Sequence, residues 1–402
     1  MTISDLNFLR SVEGRAMLQS YSGYTDDQLF KLLFKSAKQA DLNFLSAAVT
    51  LIRLRRSAGD KFSRSAGMFF TTLGLEQATG EKIADHIAAR FAPDWRVADL
   101  TCGIGGNLIS LAKRCREVSG VDRNEQNIAC AQENITLYGL QDKTELIVDD
   151  AHNHIRPGID AFFLDPARDR EGQTKTRSIL NSEPSLLEIL PPIFAITKNV
   201  GVKISPAFDY QELDLLPEVA EVEIISENNN CKVAMLWFGA LKRYERSASC
   251  FVADRYYSYH DSSAVSAAIV TNRIGAYLYE PNKAISRARL LDVIAAEYGL
   301  QRVGGTLAFL TGDQLVASDR PGLLRTFSVI ASGDFAAKAF PKFLQENKVE
   351  RADIIAKDFP MKPEEILKRF KLREGGGLTL IFWTSGSGKR RYILAKNQLY
   401  KP

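Results

Sequence analysis

Short apolar runs alternate with stretches of helical periodicity through the middle of the chain. Seven runs have the length and composition of buried strands: 97–100, 118–121, 146–148, 161–164, 200–204, 222–225 and 233–238. Strands that alternate with helices are typical of a doubly wound, largely parallel α/β sheet. Only a polar loop, 226–232, separates the last two runs, so we predict that the sheet closes with an antiparallel strand.

The flanking regions have different patterns. Residues 1–64 carry leucines at helical spacing, and the segment from Thr25 to Gln28 has the composition of a helix cap, so we predict a helical module there. The α/β domain follows over 65–243. Residues 244–264 have the composition of a tether.

The C-terminal part predicts two α+β domains, over 265–330 and 331–402. The first mixes strand-like runs with a helix at 286–298 and a glycine turn at Gly304 and Gly305. The second predicts a strand from Phe327, two short helices and a hairpin whose strands, 378–383 and 391–395, flank the loop 384–389.

The segment 96–107 contains the strongest candidate ligand site. An apolar strand ends at Asp99 and runs into a turn with three glycines, and a helix is predicted over 107–115. Gly103, Gly105 and Gly106 permit positive φ and a close approach of a ligand to the backbone. The next strand ends in a second acid, Asp122.

Electrostatics separates two interpretations of this turn. A dinucleotide site holds a pyrophosphate against a helix N-terminus, with one later acid on the ribose. Asp99 would repel that pyrophosphate, but it suits a ligand that carries an ammonium and a sulfonium, as S-adenosylmethionine does. Asp122 can accept ribose hydroxyls in both interpretations. The glycine spacing also differs from G-x-G-x-x-G, which leaves a nicotinamide or flavin site, or a turn without a ligand, as the weaker alternatives.

Four segments in order, 99–107, 120–123, 148–151 and 163–168, resemble motifs I to IV of class I S-adenosylmethionine-dependent methyltransferases. The resemblance covers about 65–240 and is closest, through 127–139, to the trimethylguanosine synthase branch, whose enzymes fold a helix like 71–79 over the cofactor. It implies a Rossmann-like, seven-stranded fold and S-adenosylmethionine as the cofactor. The implied cofactor-binding residues are Asp99, Thr101, Cys102, Gly103, Gly105, Gly106, Asn107, Asp122, Arg123, Asp150 and Ala151.

Motif IV contains the predicted catalytic residues Asp165, Pro166 and Arg168. Methyl transfer from a sulfonium is an in-line displacement, so the enzyme mainly has to align the acceptor. By resemblance to amino methyltransferases, the Asp165 side chain and the Pro166 carbonyl accept the protons of the acceptor amine, and the Arg168 guanidinium stacks on a base or holds a phosphate. In the alternative, Asp165 only caps its loop and Arg168 pairs with Asp169.

Other chemistries lack their residues. A 5-methyluracil mechanism needs a cysteine after the fifth strand, and 203–209 has none, while a cap hypermethylase needs a tryptophan that 167–171 lacks. His152 and His154 follow motif III and have the placement of surface or packing residues rather than catalytic ones.

Composition indicates a large cytoplasmic protein without a membrane span. The chain has 402 residues, 45% of them hydrophobic, and no apolar stretch approaches the ~20 residues of a membrane span. Its five cysteines and four histidines show no paired metal spacing. We therefore predict neither a metal site nor disulfides.

Positive charge is concentrated at the C-terminus. Residues 338–402 contain 15 Lys or Arg and seven acidic residues, a net +8, whereas the whole chain has only +4. A basic patch favours a polyanion, although a solvated basic surface has the same composition. The hairpin triplet Lys389, Arg390 and Arg391 is the densest part of this patch. The preceding Gly386 does not begin a phosphate-binding loop, because Arg390 replaces the required Ser or Thr.

The two C-terminal regions resemble a ferredoxin-like module, over 265–330, and the THUMP-like domain that follows the methyltransferase in bacterial proteins of this architecture. That resemblance implies RNA binding through the basic C-terminal module. We therefore expect a methyltransferase that modifies a base nitrogen in RNA, either tRNA or rRNA. The alternatives are an inactive RNA-binding protein that retains the cofactor and a methyltransferase acting on proteins or small molecules. The sequence leaves the oligomeric state open.

Overall fold

The computed structural model describes residues 1–36, 42–168, 178–179, 181–316 and 320–398. The chain forms two compact units. The first comprises Met1–Ala220 and Met235–Arg243, and the second comprises Glu221–Ala234 and Tyr244–Pro402. No helix in the described ranges is long and apolar enough to cross a membrane.

The helices are α1 Ile3–Arg10, α2 Val12–Tyr21, α3 Asp26–Ser36, α4 Leu42–Ser57, α5 Thr72–Gln77, α6 Glu81–Ala88, α7 Gly106–Arg114, α8 Glu125–Leu137, α9 Leu186–Phe194, α10 Lys283–Arg287, α11 Leu291–Tyr298, α12 Phe340–Glu346 and α13 Pro363–Phe370. The strands are β1 Arg96–Asp99, β2 Glu117–Asp122, β3 Thr144–Val148, β4 Ala161–Leu164, β5 Ala167–Arg168, β6 Ser182–Glu183, β7 Val200–Ile204, β8 Glu221–Glu227, β9 Asn230–Trp237, β10 Arg246–Val252, β11 Arg255–His260, β12 Val270–Thr271, β13 Tyr277–Pro281, β14 Gln301–Val303, β15 Leu310–Gly312, β16 Leu324–Asp334, β17 Asp353–Lys357, β18 Leu378–Thr384 and β19 Arg390–Asn397.

All seven predicted strands form and belong to one sheet. Its order is β11-β10-β8-β9-β7-β4-β1-β2-β3. β1 pairs in parallel with β2 and β4, β2 with β3, and β4 with β7. The predicted hairpin also forms, although its turn is only Asn228 and Asn229, with φ of 47° and 62°. Two central residues with positive φ are the mark of a type I′ turn.

The prediction of a tether at 244–264 was wrong, because this segment contains β10 and β11. β10 runs parallel to β8 and antiparallel to β11. Its serines are buried and donate to carboxylates of β8: the Ser247 hydroxyl lies 2.6 Å from Glu221 Oε1, and the Ser249 hydroxyl 2.6 Å from Glu223 Oε1. Hydrogen bonding makes burial of these polar groups tolerable, so a polar sequence forms an interior strand.

The N-terminal part is helical, as predicted, and its separation as a domain over 1–64 stays a prediction. α3 begins with a reciprocal cap, in which the Gln28 amide donates to the Thr25 hydroxyl at 3.3 Å and the Thr25 amide donates to Gln28 Oε1 at 2.8 Å. Arg10 and Arg15 hold the module to α8, since their guanidinium groups lie 2.8 and 2.5 Å from the two carboxylate oxygens of Glu133. The N-terminal module is therefore attached directly to the α/β region.

A second sheet of eight strands contains both C-terminal regions, in the order β12-β14-β15-β13-β16-β19-β18-β17. The predicted boundary between 330 and 331 lies inside β16, which pairs with β13 on one side and β19 on the other. The division into two C-terminal domains therefore remains a prediction. The single helix expected at 286–298 is two helices, α10 and α11, with Arg289 between them at a φ of 60°. β17 was not predicted.

Candidate functional site

The glycine turn follows β1 and is fixed to the neighbouring strands. The Leu100 amide donates to the Phe163 carbonyl at 3.0 Å, and the Cys102 amide to the Val121 carbonyl at 2.9 Å. Gly103 and Gly105 have φ of 54° and 94°, which side-chain-bearing residues rarely adopt. α7 begins directly after Gly105. The turn thus lies at the carboxyl ends of parallel strands, where α/β sheets bind their ligands.

Asp122, at the end of β2, organises this turn. Its Oδ2 accepts from the Gly103 amide at 3.0 Å and from Asn127 Nδ2 at 3.1 Å, while Oδ1 accepts from the Asn124 amide at 2.8 Å. Each carboxylate oxygen has capacity for more than one hydrogen bond, so ribose hydroxyls can still be accepted. The structure therefore gives Asp122 a second role, in holding the glycine turn.

Asp99 is the most buried acid of the site, with 1% of its surface exposed. Its Oδ1 accepts from the Thr101 amide at 3.1 Å, whereas Oδ2 is buried without a hydrogen-bond partner among the described residues. Burial is the main cause that raises the pKa of Asp99 well above its usual range, and the nearby Asp165 and Asp122 raise it further. A buried carboxylate with an unsatisfied oxygen fits a cationic ligand group, as an ammonium is.

The segment predicted to cover the cofactor, 71–79, forms α5 and contacts the glycine turn. The Asn107 side-chain amide donates to the Thr79 hydroxyl at 3.2 Å. The α5 backbone at Gly74 comes so close to Ile104 that an added Cβ would lie 2.5 Å from Ile104 Cγ2. Asn107 and Gly106 therefore face the 71–79 segment, and their role in cofactor binding stays a prediction.

Two acids follow β3, and each is paired with a histidine. Asp150 Oδ1 lies 2.9 Å from His152 Nδ1, and Asp149 Oδ2 lies 2.9 Å from His154 Nε2. Hydrogen bonds lower the pKa of both carboxyls: the Asn153 side chain is the largest cause for Asp149, and the His152 amide for Asp150. Asp150 also caps the short turn that begins at the buried Ala151. The histidines thus orient the acids of motif III.

Motif IV follows β4 and is held from two sides. The Asp165 amide donates to the Thr101 hydroxyl at 2.6 Å, so the first motif positions the fourth. Lys203 on β7 reaches Asp165, with Nζ 2.5 Å from Oδ2. Asp165 and Pro166 are followed by a two-stranded ribbon, in which β5 pairs antiparallel with β6.

Arg123 lies beside that ribbon, with its Nη2 3.1 Å from Glu183 Oε1. The structure therefore places Arg123 in an ion pair with β6. The Arg168 backbone lies in β5, but its side chain and Asp169 fall outside the described part of the chain, so the predicted pairing of the two is not addressed. The structure brings the carboxylates of Asp99, Asp122 and Asp165 together at the ends of β1, β2 and β4.

Lys203 is a residue of the candidate site that the sequence prediction missed. It was noted only as part of a segment without a cysteine, yet its side chain is 14% exposed and pairs with the predicted catalytic acid. The available signal was a charged residue in the apolar run 200–204, since lysines are rarely buried without a partner. In the described ranges, no group of three His, Cys, Asp or Glu side chains has the arrangement of a metal site.

Known proteins share both the sequence motifs and the fold. Residues 95–180 match the family model for RNA cap guanine-N2 methyltransferase, and residues 324–397 match the model for a THUMP domain-like domain. A solved structure from Porphyromonas gingivalis W83, described as a methyltransferase, superposes with a TM-score of 0.75 and 22% identity, covering 98% of each chain. This likeness shows that the two chains share their fold.

Curated relatives are similar to this chain in sequence. An uncharacterised S-adenosylmethionine-dependent methyltransferase of Mycobacterium tuberculosis is 26% identical over 352 residues, which cover 86% of this chain and 94% of the relative. A 23S rRNA (uracil(1939)-C(5))-methyltransferase of Stenotrophomonas maltophilia is 27% identical over 157 residues, which cover 36% of this chain and 35% of that enzyme.

The burial of Asp99 predicts a pH-dependent affinity for S-adenosylmethionine. A cation binds the ionised carboxylate, whereas the raised pKa favours the protonated form in the free protein. Binding then releases a proton, so affinity should rise with pH, by up to about tenfold per unit, until Asp99 is ionised. Calorimetry between about pH 5 and 7 keeps the ligand's ammonium, of pKa ~7.7 to 8, protonated.

Two controls isolate the contribution of Asp99. Asp99→Asn should bind more weakly and lose the pH dependence, and 5′-methylthioadenosine, which lacks the ammonium, should bind the unmodified protein with a pH-independent affinity. An equal pH dependence in the unmodified protein and in Asp99→Asn would show that another group titrates.

Gly105 provides a second test of the turn. Gly105 and Gly139 both have positive φ, 94° and 70°, and neither would place an added Cβ closer than ordinary contact distance to the described atoms. Alanine should therefore destabilise both positions by about 1 to 2 kcal/mol. Only Gly105→Ala should also weaken S-adenosylmethionine binding, by about tenfold or more, because it alters the ligand-facing turn. Thermal unfolding and calorimetry on both variants measure the two effects, and equal affinities would argue against the turn as the cofactor site.

Proposed function

We propose that this chain, a class I S-adenosylmethionine-dependent methyltransferase with a C-terminal THUMP-like domain, methylates a base nitrogen in RNA. The observation that carries the RNA substrate is the combination of the two family matches in one chain. The relative that acts on 23S rRNA agrees with an RNA substrate.

The residues at the strand ends have proposed roles that follow from their contacts. Gly103, Gly105 and Gly106, with Asn107, form the turn against which the cofactor binds, and Asp99 binds its ammonium group through the unsatisfied Oδ2. Asp122 accepts the ribose hydroxyls. Asp150 and Ala151 line the adenine side, and Thr101, Cys102 and Arg123 support the surrounding backbone and ribbon.

S-adenosylmethionine, when bound, supplies an electrophilic methyl group. Asp165 then has to hold the acceptor amine in line and take up the proton that the amine loses when its bond to the methyl group forms. The Pro166 carbonyl provides a second acceptor for the amine's hydrogens. We assign Arg168 to base or phosphate contact, on its position in motif IV alone.

The cysteines argue against the uracil C5 chemistry of the rRNA-modifying relative. All five are free. Burial is the main cause that raises the pKa of each thiol: Cys115 to about 11, Cys130 and Cys250 to about 12, and Cys102 and Cys231 in the same direction. A thiol with a raised pKa is a poor nucleophile at neutral pH. Transfer to a nitrogen needs no such nucleophile.

The C-terminal unit contains a groove that suits part of an RNA chain. Its volume is about 510 Å³, and half-buried Phe359 and Met361 line it together with the exposed cations Lys362 and Arg390. Apolar surfaces with nearby cations bind single-stranded nucleic acid by stacking and by phosphate contact. The groove also contains one acid, Asp358.

The predicted basic triplet of the hairpin does not act as one surface. Arg391 is only 16% exposed, its Nε lies 3.4 Å from Asp334 Oδ1, and its guanidinium lies over the Trp383 ring at 5.4 Å from the centroid. Packing on the neighbouring strand therefore gives Arg391 a structural role. Lys389 also lies near this carboxyl group, with its Nζ 3.9 Å from Asp334 Oδ2. Arg390 is the member of the triplet that lines the groove.

Asp165 can be tested separately from cofactor binding. Asp165→Ala should leave S-adenosylmethionine affinity within a few-fold but lower the single-turnover rate by about 100-fold or more, because the lost interaction belongs to the transition state. Transfer of labelled methyl groups to total RNA measures the rate. An unchanged rate in a variant with normal cofactor affinity would mean that Asp165 has only a structural role. If the unmodified protein transfers no methyl group to RNA, the proposed RNA substrate is wrong. The remaining alternatives are then an inactive RNA-binding protein and a methyltransferase acting on proteins or small molecules.

RNA binding by the groove has its own test. The double variant Lys362→Ala and Arg390→Ala should flatten the slope of log affinity against log salt by about 1.4 to 1.8, since each lost phosphate contact contributes about 0.7 to 0.9. The matched control, Lys338→Ala and Lys342→Ala, removes the same charge from exposed positions outside the groove. Equal slopes for the two double variants would mean that the basic surface acts only through net charge. Truncation at 330 is unsuitable, because it cuts through β16.

A further inference from the structure

Lys203 is a lysine of the sheet interior that contacts the predicted catalytic acid. Its side chain is 14% exposed and that of Asp165 is 26% exposed, and Nζ and Oδ2 are 2.5 Å apart. Taking an ammonium out of water is costly unless a charged partner offsets the loss of hydration. A lysine at this position in β7 therefore depends on Asp165 to offset its loss of hydration.

Asp165 in turn lies near two other acids. Asp99 at the end of β1 is in electrostatic contact with Asp165, with Asp122 at the end of β2 and with Lys203. Of these groups, Lys203 is the one that carries positive charge. An ammonium held against one carboxylate oxygen forms a charge-assisted hydrogen bond, which restricts the orientation of the whole carboxylate group.

We propose that Lys203 is a positioning residue for methyl transfer, which fixes the Asp165 carboxylate by holding its Oδ2. The other oxygen, Oδ1, is then the one presented to the acceptor amine. As the nitrogen–methyl bond forms and the sulfur–methyl bond breaks, the amine's proton passes to Oδ1, while Lys203 keeps its contact with Oδ2. This role rests on the proposed transfer to a nitrogen.

The chain offers a matched control for this pair. Lys198 Nζ lies 2.5 Å from Glu218 Oε1, the same separation as in the Lys203–Asp165 pair. The side chains of Lys198 and Glu218 are both about half exposed, and they lie outside the strand-end site. Lys198→Met thus removes an equally short ion pair without touching the proposed machinery. Exposed ion pairs contribute little to stability, so this variant should fold normally.

The split between kcat and KM distinguishes positioning from a structural role. Lys203→Met should lower kcat for total RNA by about 100-fold, while the KM for S-adenosylmethionine changes less than about threefold. Lys203→Arg, which retains the charge, should recover at least about tenfold of the loss. Lys198→Met should match the unmodified enzyme. If Lys203→Met does not fold, Lys203→Gln takes its place.

A double variant tests whether Lys203 acts through Asp165. In the Asp165→Asn variant the carboxylate is already absent, so adding Lys203→Met should lower kcat by less than about a further threefold. Independent effects that multiply would overturn the proposal, as would an unchanged kcat in Lys203→Met.

A second readout does not depend on the substrate. Nuclear magnetic resonance of the lysine side chains, with the Lys203 signal identified by its loss in Lys203→Arg, should show a shift of that signal in Asp165→Asn and none in Glu218→Gln. An unshifted signal in Asp165→Asn overturns the pairing. If the unmodified protein transfers no methyl group to RNA while the signal still shifts, the RNA substrate is wrong and the Lys203–Asp165 pair stands.

Discussion

The convergence of three carboxylates at the ends of β1, β2 and β4 is the constraint on which the candidate site depends. Each acid is accommodated in a different way. Asp122 accepts hydrogen bonds from two backbone amides and a side-chain amide, Asp165 contacts an ammonium, and Asp99 is buried with one oxygen unsatisfied. These three environments are the basis for the three different roles that we propose for Asp122, Asp165 and Asp99, because the chemistry of a carboxyl group depends on its partners.

The sequence predicted the parts of the molecule that have local signals. Seven strands of the first sheet have apolar runs, and the turn at Gly103 and Gly105 requires residues that adopt positive φ, so both were predictable. The cap of α3 is likewise local, because Thr25 and Gln28 are three residues apart. The prediction that the turn binds S-adenosylmethionine required electrostatics, since the glycines alone also fit a pyrophosphate site.

The missed features depend on contacts between distant residues. β10 has the composition of a linker, and only Glu221 and Glu223, on another strand, make Ser247 and Ser249 acceptable in an interior position. Lys203 pairs with Asp165, which lies 38 residues earlier in the chain, so this pairing has no local signal. Counting charges likewise did not predict that Arg391 is mostly buried, because composition does not reveal that Trp383 and Asp334 cover its guanidinium.

The course of the chain through the two compact units has a consequence for biosynthesis. The chain leaves the first unit after Ala220, contributes Glu221–Ala234 to the second, and returns for Met235–Arg243 before it leaves again. The returning segment contains the fully buried Trp237, whose ring lies 6.1 Å from that of Phe91. A ribosome that makes this chain from its N-terminus therefore releases a first unit that still lacks a core residue. The first unit can complete its core during synthesis only after Glu221–Ala234, which belongs to the second unit, has left the ribosome.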